Sequence, residues 1–259
     1  MKKFEMSKAG GQQGFTLIEL SIVLVIIGLI VGGVLVGQDL IKAAQLRAAI
    51  NQINSYDTAV NTFQAKYNGI PGDLSNPVNF GFDSSTSANA GNGVLDNSDA
   101  GVTPTKFDME PAAFWRHLYQ ANLISENIAG GSYAAGGPAT RGNYVPASKL
   151  GQGAYLMALS TGGVNYYLFD NMTLAAGVYA LVHTAISPLD AYSIDSKMDD
   201  GLPATGKVNA VATNHATLDA GTAGGGSGVC VNTTTAAYNT SSTANAIVGS
   251  CALRIRASF

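Results

Sequence analysis

The sequence predicts an α+β protein in which a long N-terminal helix precedes a mixed globular domain. The first observation is an apolar run from Phe15 to Val36 that contains a single ionisable side chain, Glu19. The second is a helical apolar stripe that continues past this run, with no proline before Pro71. The third is a series of short helix-like and strand-like segments, separated by turn residues, that follows Pro71. One long helix and then an α+β domain are therefore expected.

The apolar run is long enough to cross a membrane. At a rise of about 1.5 Å per residue, the run Phe15–Val36 would span roughly 33 Å as a helix. The segment before it contains three lysines and one glutamate, and positive charge before an apolar run holds that end in the cytoplasm. The residues directly after Val36, Gly37–Lys42, offer no clear Ala-x-Ala signal peptidase site. We therefore expect the apolar segment to stay in the mature chain, with the rest of the chain outside the cytoplasm.

Glu19 is a carboxylate near one end of this run. Such a group costs a few kcal/mol in lipid unless a partner neutralises it. Glu19 is thus expected to have a functional partner. The alternative is an ordinary signal anchor in which Glu19 faces another helix.

The helix is expected to continue as an amphipathic segment, giving a rod of about 50 residues. Its apolar side chains recur at three- and four-residue steps: Leu46, Ile50, Ile53, Tyr56, Val60, Phe63 and Tyr67. The helix is expected to end near Gly69, because glycine is common just after the last residue of a helix. Two small-xxx-small pairs, Gly28 with Gly32 and Gly33 with Gly37, would permit close approach of another helix.

The start of the run resembles a known processing signal. The stretch Gly14-Phe15-Thr16-Leu17-Ile18-Glu19-Leu20 is similar to the prepilin-type cleavage and methylation motif of type IV pilins and type II secretion pseudopilins. The resemblance implies cleavage between Gly14 and Phe15 by prepilin peptidase and N-methylation of the new Phe15 amine. It also implies that Glu19 pairs with the N-terminal amine of a neighbouring subunit during assembly. In a low-dielectric helix bundle two opposite charges neutralise each other, and losing one leaves the other unpaired.

This resemblance and the periodicity divide the chain into four expected segments. They are a leader peptide at 1–14, a transmembrane and fibre-core half-helix at 15–36, an amphipathic half-helix at 37–68 and an extracytoplasmic α+β domain at 69–259. The expected fold is pilin-like, with the long N-terminal α-helix packed on a C-terminal domain that contains an antiparallel β-sheet. Strands are predicted over 154–159, 166–169, 178–182 and 250–256.

The resemblance also implies a function and a location. The chain would be a single-pass protein of the bacterial inner membrane with its globular domain in the periplasm. Its implied partners are prepilin peptidase, other pilin-like subunits in a homo- or hetero-polymer, an inner-membrane platform protein and an assembly ATPase. The fibre would be a type IV pilus at the cell surface or a periplasmic type II secretion pseudopilus. The alternative is a signal-anchored periplasmic binding protein or adhesin that does not polymerise.

Composition and motifs argue against enzymatic or nucleic-acid chemistry. The net charge is −3 and only 12% of residues are charged, so the chain has no basic footprint for nucleic acid. It contains no Gly-x-Ser-x-Gly elbow, P-loop or His-Glu-x-x-His motif, and His117, His183 and His215 are scattered. We expect no enzyme and no catalytic residues. Trp115 and His117 are interpreted as structural members of a short helix over Glu110–Ile124.

The two cysteines, Cys230 and Cys251, lie near the end of the chain. Outside the cytoplasm a disulfide would persist, and closing a loop of about 20 residues would contribute about 3 kcal/mol. Two independent thiols are the alternative. Pilins often carry a C-terminal disulfide loop, which this pair resembles.

Asp195, Asp199 and Asp200 are the candidate metal ligands. A helix is predicted from Ser187 to about Lys197, and carboxylates at a helix C-terminus, where the dipole disfavours anions, invite a cation. Some pseudopilins bind calcium near their sheet, so Ca²⁺ is the only cofactor that the sequence suggests. The alternative is a turn with solvated acids. A second oxygen-rich segment, Asn89–Asp99, lacks EF-hand spacing and is interpreted as a solvated loop.

Overall fold

A computed structural model describes residues 14–84, 89–96, 109–128, 143–175, 178–181, 185–211, 230–232, 235–241 and 251–259. The chain divides into two compact units, Met1–Ala44 and Gln45–Phe259. Helix α1, Leu17–Tyr67, is 51 residues long and contributes to both units. The architecture is α+β and pilin-like, as predicted: a long N-terminal helix is followed by a domain with an antiparallel sheet.

In the second unit, one face of α1 forms part of the hydrophobic core. Five of the seven side chains of the predicted stripe are buried, and the other two, Ile50 and Tyr67, are half-buried. The helix ends at Tyr67 because Asn68 adopts a left-handed conformation with φ of 54°. Its N–H donates to the carbonyl oxygen of Gln64 at 2.8 Å.

A four-stranded antiparallel sheet organises the domain. The described residues form eight strands: β1 (Tyr155–Thr161), β2 (Val164–Asp170), β3 (Met172–Ala175), β4 (Val178–Leu181), β5 (Val208–Val211), β6 (Val231–Asn232), β7 (Ala237–Tyr238) and β8 (Ala252–Arg256). The main sheet has the spatial order β1-β2-β8-β5, while β3 pairs with β4 and β6 with β7. The last strand, β8, therefore lies inside the sheet, where Leu253 pairs with Phe169 on one side and Ala210 on the other.

The strand predictions were correct for the three longest strands and for the four-residue β4. The predicted strands correspond to β1, β2, β4 and β8, whereas β3, β5, β6 and β7 were missed. The missed strands have four residues or two. A segment of that length shows few alternations and is difficult to distinguish from a turn, although β4, with four residues, was predicted. Among the missed strands, β5 depends on pairing with β8, which is distant in sequence, whereas β3 pairs with the adjacent β4 and β6 with the adjacent β7.

Helix α2, Met109–Gln120, packs its aromatic face against α1. Trp115 is fully buried, and its ring lies edge-on to that of Tyr56 with centroids 4.7 Å apart. The helix ends four residues before the predicted Ile124 because Asn122 is left-handed, with φ of 55°. The N–H of Leu123 then donates to the carbonyl of Leu118 at 3.0 Å, which is the bond of a Schellman motif. The interpretation of Trp115 as a core residue is confirmed.

Helix α3, Pro188–Met198, begins as predicted from its cap. Ser187 accepts a hydrogen bond from the backbone N–H of Asp190 at 3.2 Å. The Ser187 hydroxyl also donates to the buried carboxylate of Asp190 at 2.6 Å. Gln152 donates to the same carboxylate at 3.0 Å and so ties the start of α3 to the turn before β1.

Gly72 is required where the segment after α1 meets the first turn of α2. Its φ is +87°, and a Cβ here would overlap the carbonyl oxygen of Glu110 and lie 3.0 Å from the backbone nitrogen of Phe114.

We expect Gly72→Ala to lower the free energy of unfolding by about 2–4 kcal/mol, measured by urea denaturation. Gly81, with φ of +79° and no heavy atom within 4 Å of a Cβ, is the matched control. Gly81→Ala should lose only about 1 kcal/mol, and equal losses would contradict the packing argument.

His117 is a buried, neutral histidine that fixes the same segment. Its Nδ1 accepts the N–H of Gly72 at 2.9 Å, and its Nε2 lies 2.7 Å from the carbonyl oxygen of Asp83, to which it donates. Burial lowers the pKa of His117, against the opposing effect of Asp83. Both ring nitrogens are thus used in holding the chain, as expected for a structural histidine. His183 and His215 lie outside the described residues.

This arrangement predicts a loss of stability in mild acid. The folded pKa of His117 is below the unfolded value of about 6.5, so between the two values the folded state binds fewer protons than the unfolded one. The stabilisation is therefore complete above about pH 6.5 and decreases as the pH falls towards the folded pKa, by at most about 1.4 kcal/mol per pH unit. We expect His117→Gln, compared with the parent in urea at pH 7.5 and 5.5, to be less stable at pH 7.5 but to show a weaker pH dependence. An unchanged pH dependence would contradict the assignment.

Candidate processing and assembly site

A capping box formed by Thr16 and Glu19 begins α1. Oε2 of Glu19 accepts the backbone N–H of Thr16 at 2.8 Å and its hydroxyl at 2.7 Å. In return, Oγ1 of Thr16 accepts the backbone N–H of Glu19 at 3.3 Å. Thr16 is thus the N-cap and Glu19 the third helical residue, which satisfies two donors of the helix start. Glu19 therefore has a partner within its own chain.

The role of Thr16 was missed at the level of sequence, although its signal was present. The spacing Thr-x-x-Glu at Thr16–Glu19 is that of a capping box. Gly14, Phe15 and Thr16 precede the helix, whose first residue is Leu17. The peptide bond between Gly14 and Phe15 is therefore outside the helical hydrogen-bond ladder. The leader residues before Gly14 lie outside the described residues.

The first part of α1 exposes a continuous apolar surface. Phe15 is 82% exposed, and large apolar side chains remain exposed along the helix as far as Ile41. Among the described residues, α1 is the one helix whose length and composition would allow it to cross a membrane. It is a candidate membrane anchor of the kind used by pilins. A Cβ added at Gly28, Gly32, Gly33 or Gly37 would meet no atom within 4 Å, so another helix could approach closely there.

The predicted disulfide between Cys230 and Cys251 is confirmed. Their Cα atoms are 5.2 Å apart, and both residues are buried. Cys251 also exchanges two backbone hydrogen bonds of 3.0 Å with Ile186, just before α3. The disulfide therefore ties the hairpin β6–β7 to the segment that enters the central strand β8.

The structure also brings together Asp195, Asp199 and Asp200 at the end of α3. Each offers a carboxylate oxygen within 4.8 Å of the others, with Asp195 buried and the other two exposed. Such a spacing fits the ligands of a hard cation. The three acids that the sequence suggested as metal ligands therefore lie close together in the structure.

Each of the three acids nevertheless accepts hydrogen bonds from the chain. Asp195 accepts the N–H of Gly201 at 3.1 Å and the hydroxyl of Tyr238 at 2.8 Å. Asp199 holds the backbone N–H groups of Lys207 and Val208, while Asp200 accepts the hydroxyl of Thr205 at 2.5 Å and the N–H of Leu202 at 2.8 Å. Burial raises the pKa of Asp195. Through these hydrogen bonds the three acids hold the turn between α3 and β5.

Calcium binding at these acids stays a prediction. A cation would have to share oxygens that already bind N–H and O–H donors. If it does so, millimolar CaCl₂ should raise the melting temperature of the protein, and Asp199→Asn should abolish that rise. Lys197→Gln, which changes a neighbouring exposed charge without removing a carboxylate, is the control. An unchanged melting temperature would identify the acids as turn-forming residues only.

Hydrogen bonds to Asp73 anchor the described part of the second oxygen-rich segment, residues 89–96. The carboxylate of Asp73 accepts the backbone N–H groups of Gly91, Asn92 and Gly93. The side-chain amide of Asn92 donates to Asp96 at 2.8 Å. Burial raises the pKa of Asp73. Residues 97–99 of the segment lie outside the described residues.

Comparison with known proteins adds one finding at the N-terminus. The family model described as the prokaryotic N-terminal methylation motif matches residues 10–35. No curated protein and no solved structure matches the chain. The match covers Gly14, Phe15, the Thr16–Glu19 capping box and most of the apolar run, as the resemblance to pilins predicted. The chain thus carries a prokaryotic N-terminal methylation motif, which indicates a structural protein and supports a type IV pilin-like precursor processed by prepilin peptidase.

Proposed function

We propose that the chain is a structural subunit of a type IV pilus or type II secretion pseudopilus. Prepilin peptidase cleaves it between Gly14 and Phe15, the new amine of Phe15 is methylated, and the mature subunits polymerise through α1. The observation that carries the proposal is the position of the motif. It covers the start of a helix whose exposed apolar surface contains one charged residue, Glu19, as far as Val36.

The capping box suggests how Glu19 is tolerated before assembly. In lipid, the bonds from Thr16 lower the cost of the carboxylate by satisfying one of its oxygens. Cleavage creates a positively charged amine at Phe15. In a fibre, Glu19 pairs with this amine on a neighbouring subunit, since a full opposite charge offsets more of the desolvation than neutral donors do.

The apolar surface explains why assembly needs external work. Moving residues 15–36 from lipid into a bundle of identical helices exchanges one apolar environment for another, so burial supplies little net free energy. The driving force must come from partners. We propose the inner-membrane platform protein and the assembly ATPase of such systems for this role, with residues 37–68 and 69–259 in the periplasm before assembly.

Fibre formation is tested by fractionation. In cells that contain prepilin peptidase, sheared or detergent-released material is centrifuged at high speed. The mature chain should be found in the pellet, and electron micrographs of the pellet should show filaments. In cells without the peptidase, the chain should remain full length in the inner membrane and the filaments should be absent. Cleaved protein that stays monomeric would contradict polymerisation and favour a signal-anchored binding protein or adhesin.

Deletion of the gene distinguishes the two kinds of fibre. Loss of surface filaments, with normal secretion, would assign the chain to a type IV pilus. Retention of exported enzymes in the periplasm, without loss of surface filaments, would assign it to a type II secretion pseudopilus.

A further inference from the structure

An asparagine-glycine pair, Asn92-Gly93, lies in the loop that Asp73 anchors. Both residues of the pair are exposed, and Gly93 has a φ of +86° with no heavy atom within 4 Å of an added Cβ. In such a pair the backbone nitrogen after asparagine can attack the side-chain amide carbon, because glycine has no Cβ that would obstruct the approach. The chain contains one other such pair, Asn68-Gly69.

Hydrogen bonds hold the reacting groups of Asn92 and Gly93 in place. Oδ1 of Asn92 accepts the backbone N–H of Val94 at 2.7 Å, which closes a turn around the backbone nitrogen of Gly93. The same N–H would stabilise negative charge that develops on Oδ1 during an attack at Cγ. Nδ2 of Asn92, the leaving group, donates to Asp96 at 2.8 Å. Because one turn fixes both the attacking and the attacked group, much of the entropy cost of the reaction is already met.

Asp73 occupies the position of a base for this reaction. Its Oδ2 accepts the N–H of Gly93 at 2.6 Å, a distance at which a carboxylate can remove the proton. Burial raises the pKa of Asp73, so its carboxylate binds a proton more strongly than an exposed one does. Among the hydrogen bonds of the described residues, no acid accepts the N–H of Gly69. The pair Asn68-Gly69 therefore shares the local sequence but not this arrangement.

We propose that Asn92 is a site of spontaneous deamidation in the folded protein. The backbone nitrogen of Gly93 forms a bond to Cγ of Asn92 while Asp73 takes the proton of that nitrogen. The bond between Cγ and Nδ2 then breaks, and Nδ2 takes up a proton from water and leaves as ammonia. Water opens the resulting succinimide to aspartate or isoaspartate, and Asp73 returns its proton to the solvent.

The conversion changes the loop irreversibly. Deamidation replaces an amide donor with a carboxylate, so Asp96 loses the hydrogen bond from Nδ2 and gains a negative neighbour. Isoaspartate also lengthens the backbone by one methylene group beside the N–H groups that Asp73 holds. Asp73 therefore holds the converted loop less firmly than the original one.

Peptide mapping of the full chain tests the proposal, with Asn68 as an internal control. The protein is incubated in detergent at neutral pH, and samples are digested with pepsin at acidic pH, where deamidation of this kind is slow. Cleavage near Phe80 and Phe82 separates the two asparagines, and mass spectrometry measures the conversion of each. We expect Asn92 to convert at least about tenfold faster than Asn68, and faster in the folded chain than in guanidinium chloride. Similar rates at the two asparagines, or a faster reaction of Asn92 in the unfolded chain, would overturn the proposal.

Asp73→Asn separates the effect of the base from that of the local sequence. It keeps the shape of the side chain but removes the base, and it should slow the conversion of Asn92 several-fold without changing that of Asn68. Asp200→Asn is the matched control, because Asp200 also accepts a backbone N–H in a turn but lies outside this loop. Both rates should then equal those of the parent.

An equal or faster conversion of Asn92 in Asp73→Asn would overturn the assignment of the base. If circular dichroism shows that Asp73→Asn does not fold, the comparison of the folded and unfolded parent decides alone. The reaction requires only the folded chain and water, so its outcome does not depend on whether the chain forms a fibre.

Discussion

Replacing Glu19 with alanine is expected to leave cleavage intact and to reduce fibre yield by about a hundredfold or more. The proposed cleavage site, Gly14–Phe15, lies before the helix, so cleavage should not require the carboxylate. The proposed assembly should require it, because the methylated amine of the neighbouring subunit would otherwise enter an apolar bundle unpaired. Leaving such a charge unpaired costs about 3–5 kcal/mol, and each 1.4 kcal/mol corresponds to a factor of ten. The yield is measured as the fraction of mature chain in pelleted filaments.

Glu19→Gln separates the two tasks of this residue. Glutamine preserves the capping box with Thr16 but carries no charge. If pairing with the amine drives assembly, Glu19→Gln should fail almost as severely as Glu19→Ala, whereas Thr16→Val, which keeps the charge, should retain most of the yield. Normal fibre yield with Glu19→Ala would refute the pairing argument. Normal yield with Glu19→Gln alone would reduce the role of Glu19 to that of a helix cap.

Removing the disulfide is expected to lower the free energy of unfolding of the globular domain by about 3 kcal/mol. Cys230 and Cys251 are separated by 21 positions, and closing a loop of this size restricts the unfolded chain by roughly that amount. The structural consequence should concentrate at the hairpin β6–β7, since the bond joins it to the segment before β8. The variant Cys230→Ser/Cys251→Ser would be compared with the parent by urea denaturation.

Reductant provides the control for this prediction. Unfolding in dithiothreitol should bring the parent to the stability of the double variant, while the variant should be insensitive to reductant. If the double variant matches the oxidised parent, the disulfide does not stabilise the fold. In that case the pairing of β6 with β7 and the bond from Tyr238 to Asp195 would be sufficient to hold this part of the domain.

The features that could be predicted from sequence were those with a local physical cause. Helix α1 follows from its apolar periodicity, the start of α3 from the Ser187 cap, and the helix-end acids from their adjacency. The disulfide followed from composition and compartment, because only two cysteines were available to pair. The capping box at Thr16 was also visible in the spacing, although only Glu19 was recognised.

The features that could not be predicted depend on contacts between distant segments. The hydroxyl of Tyr238 reaches Asp195 across 43 positions, and no pattern in the sequence joins them. The buried His117 is neutral because α2 places it against Gly72 and Asp83, which belong to another segment of the chain. The four-residue strand β5 exists because β8 lies beside it. In each case tertiary contacts determine the local structure, and a short local pattern carries too little information to show it.

Mass spectrometry of the N-terminal peptide tests the central claim most directly. The protein would be purified from membranes of cells with active prepilin peptidase and digested, and the first peptide would be sequenced. The account predicts a chain that begins with N-methylated Phe15. A chain that still begins at Met1 would contradict processing, and with it the proposed assembly through Glu19 and the fibre.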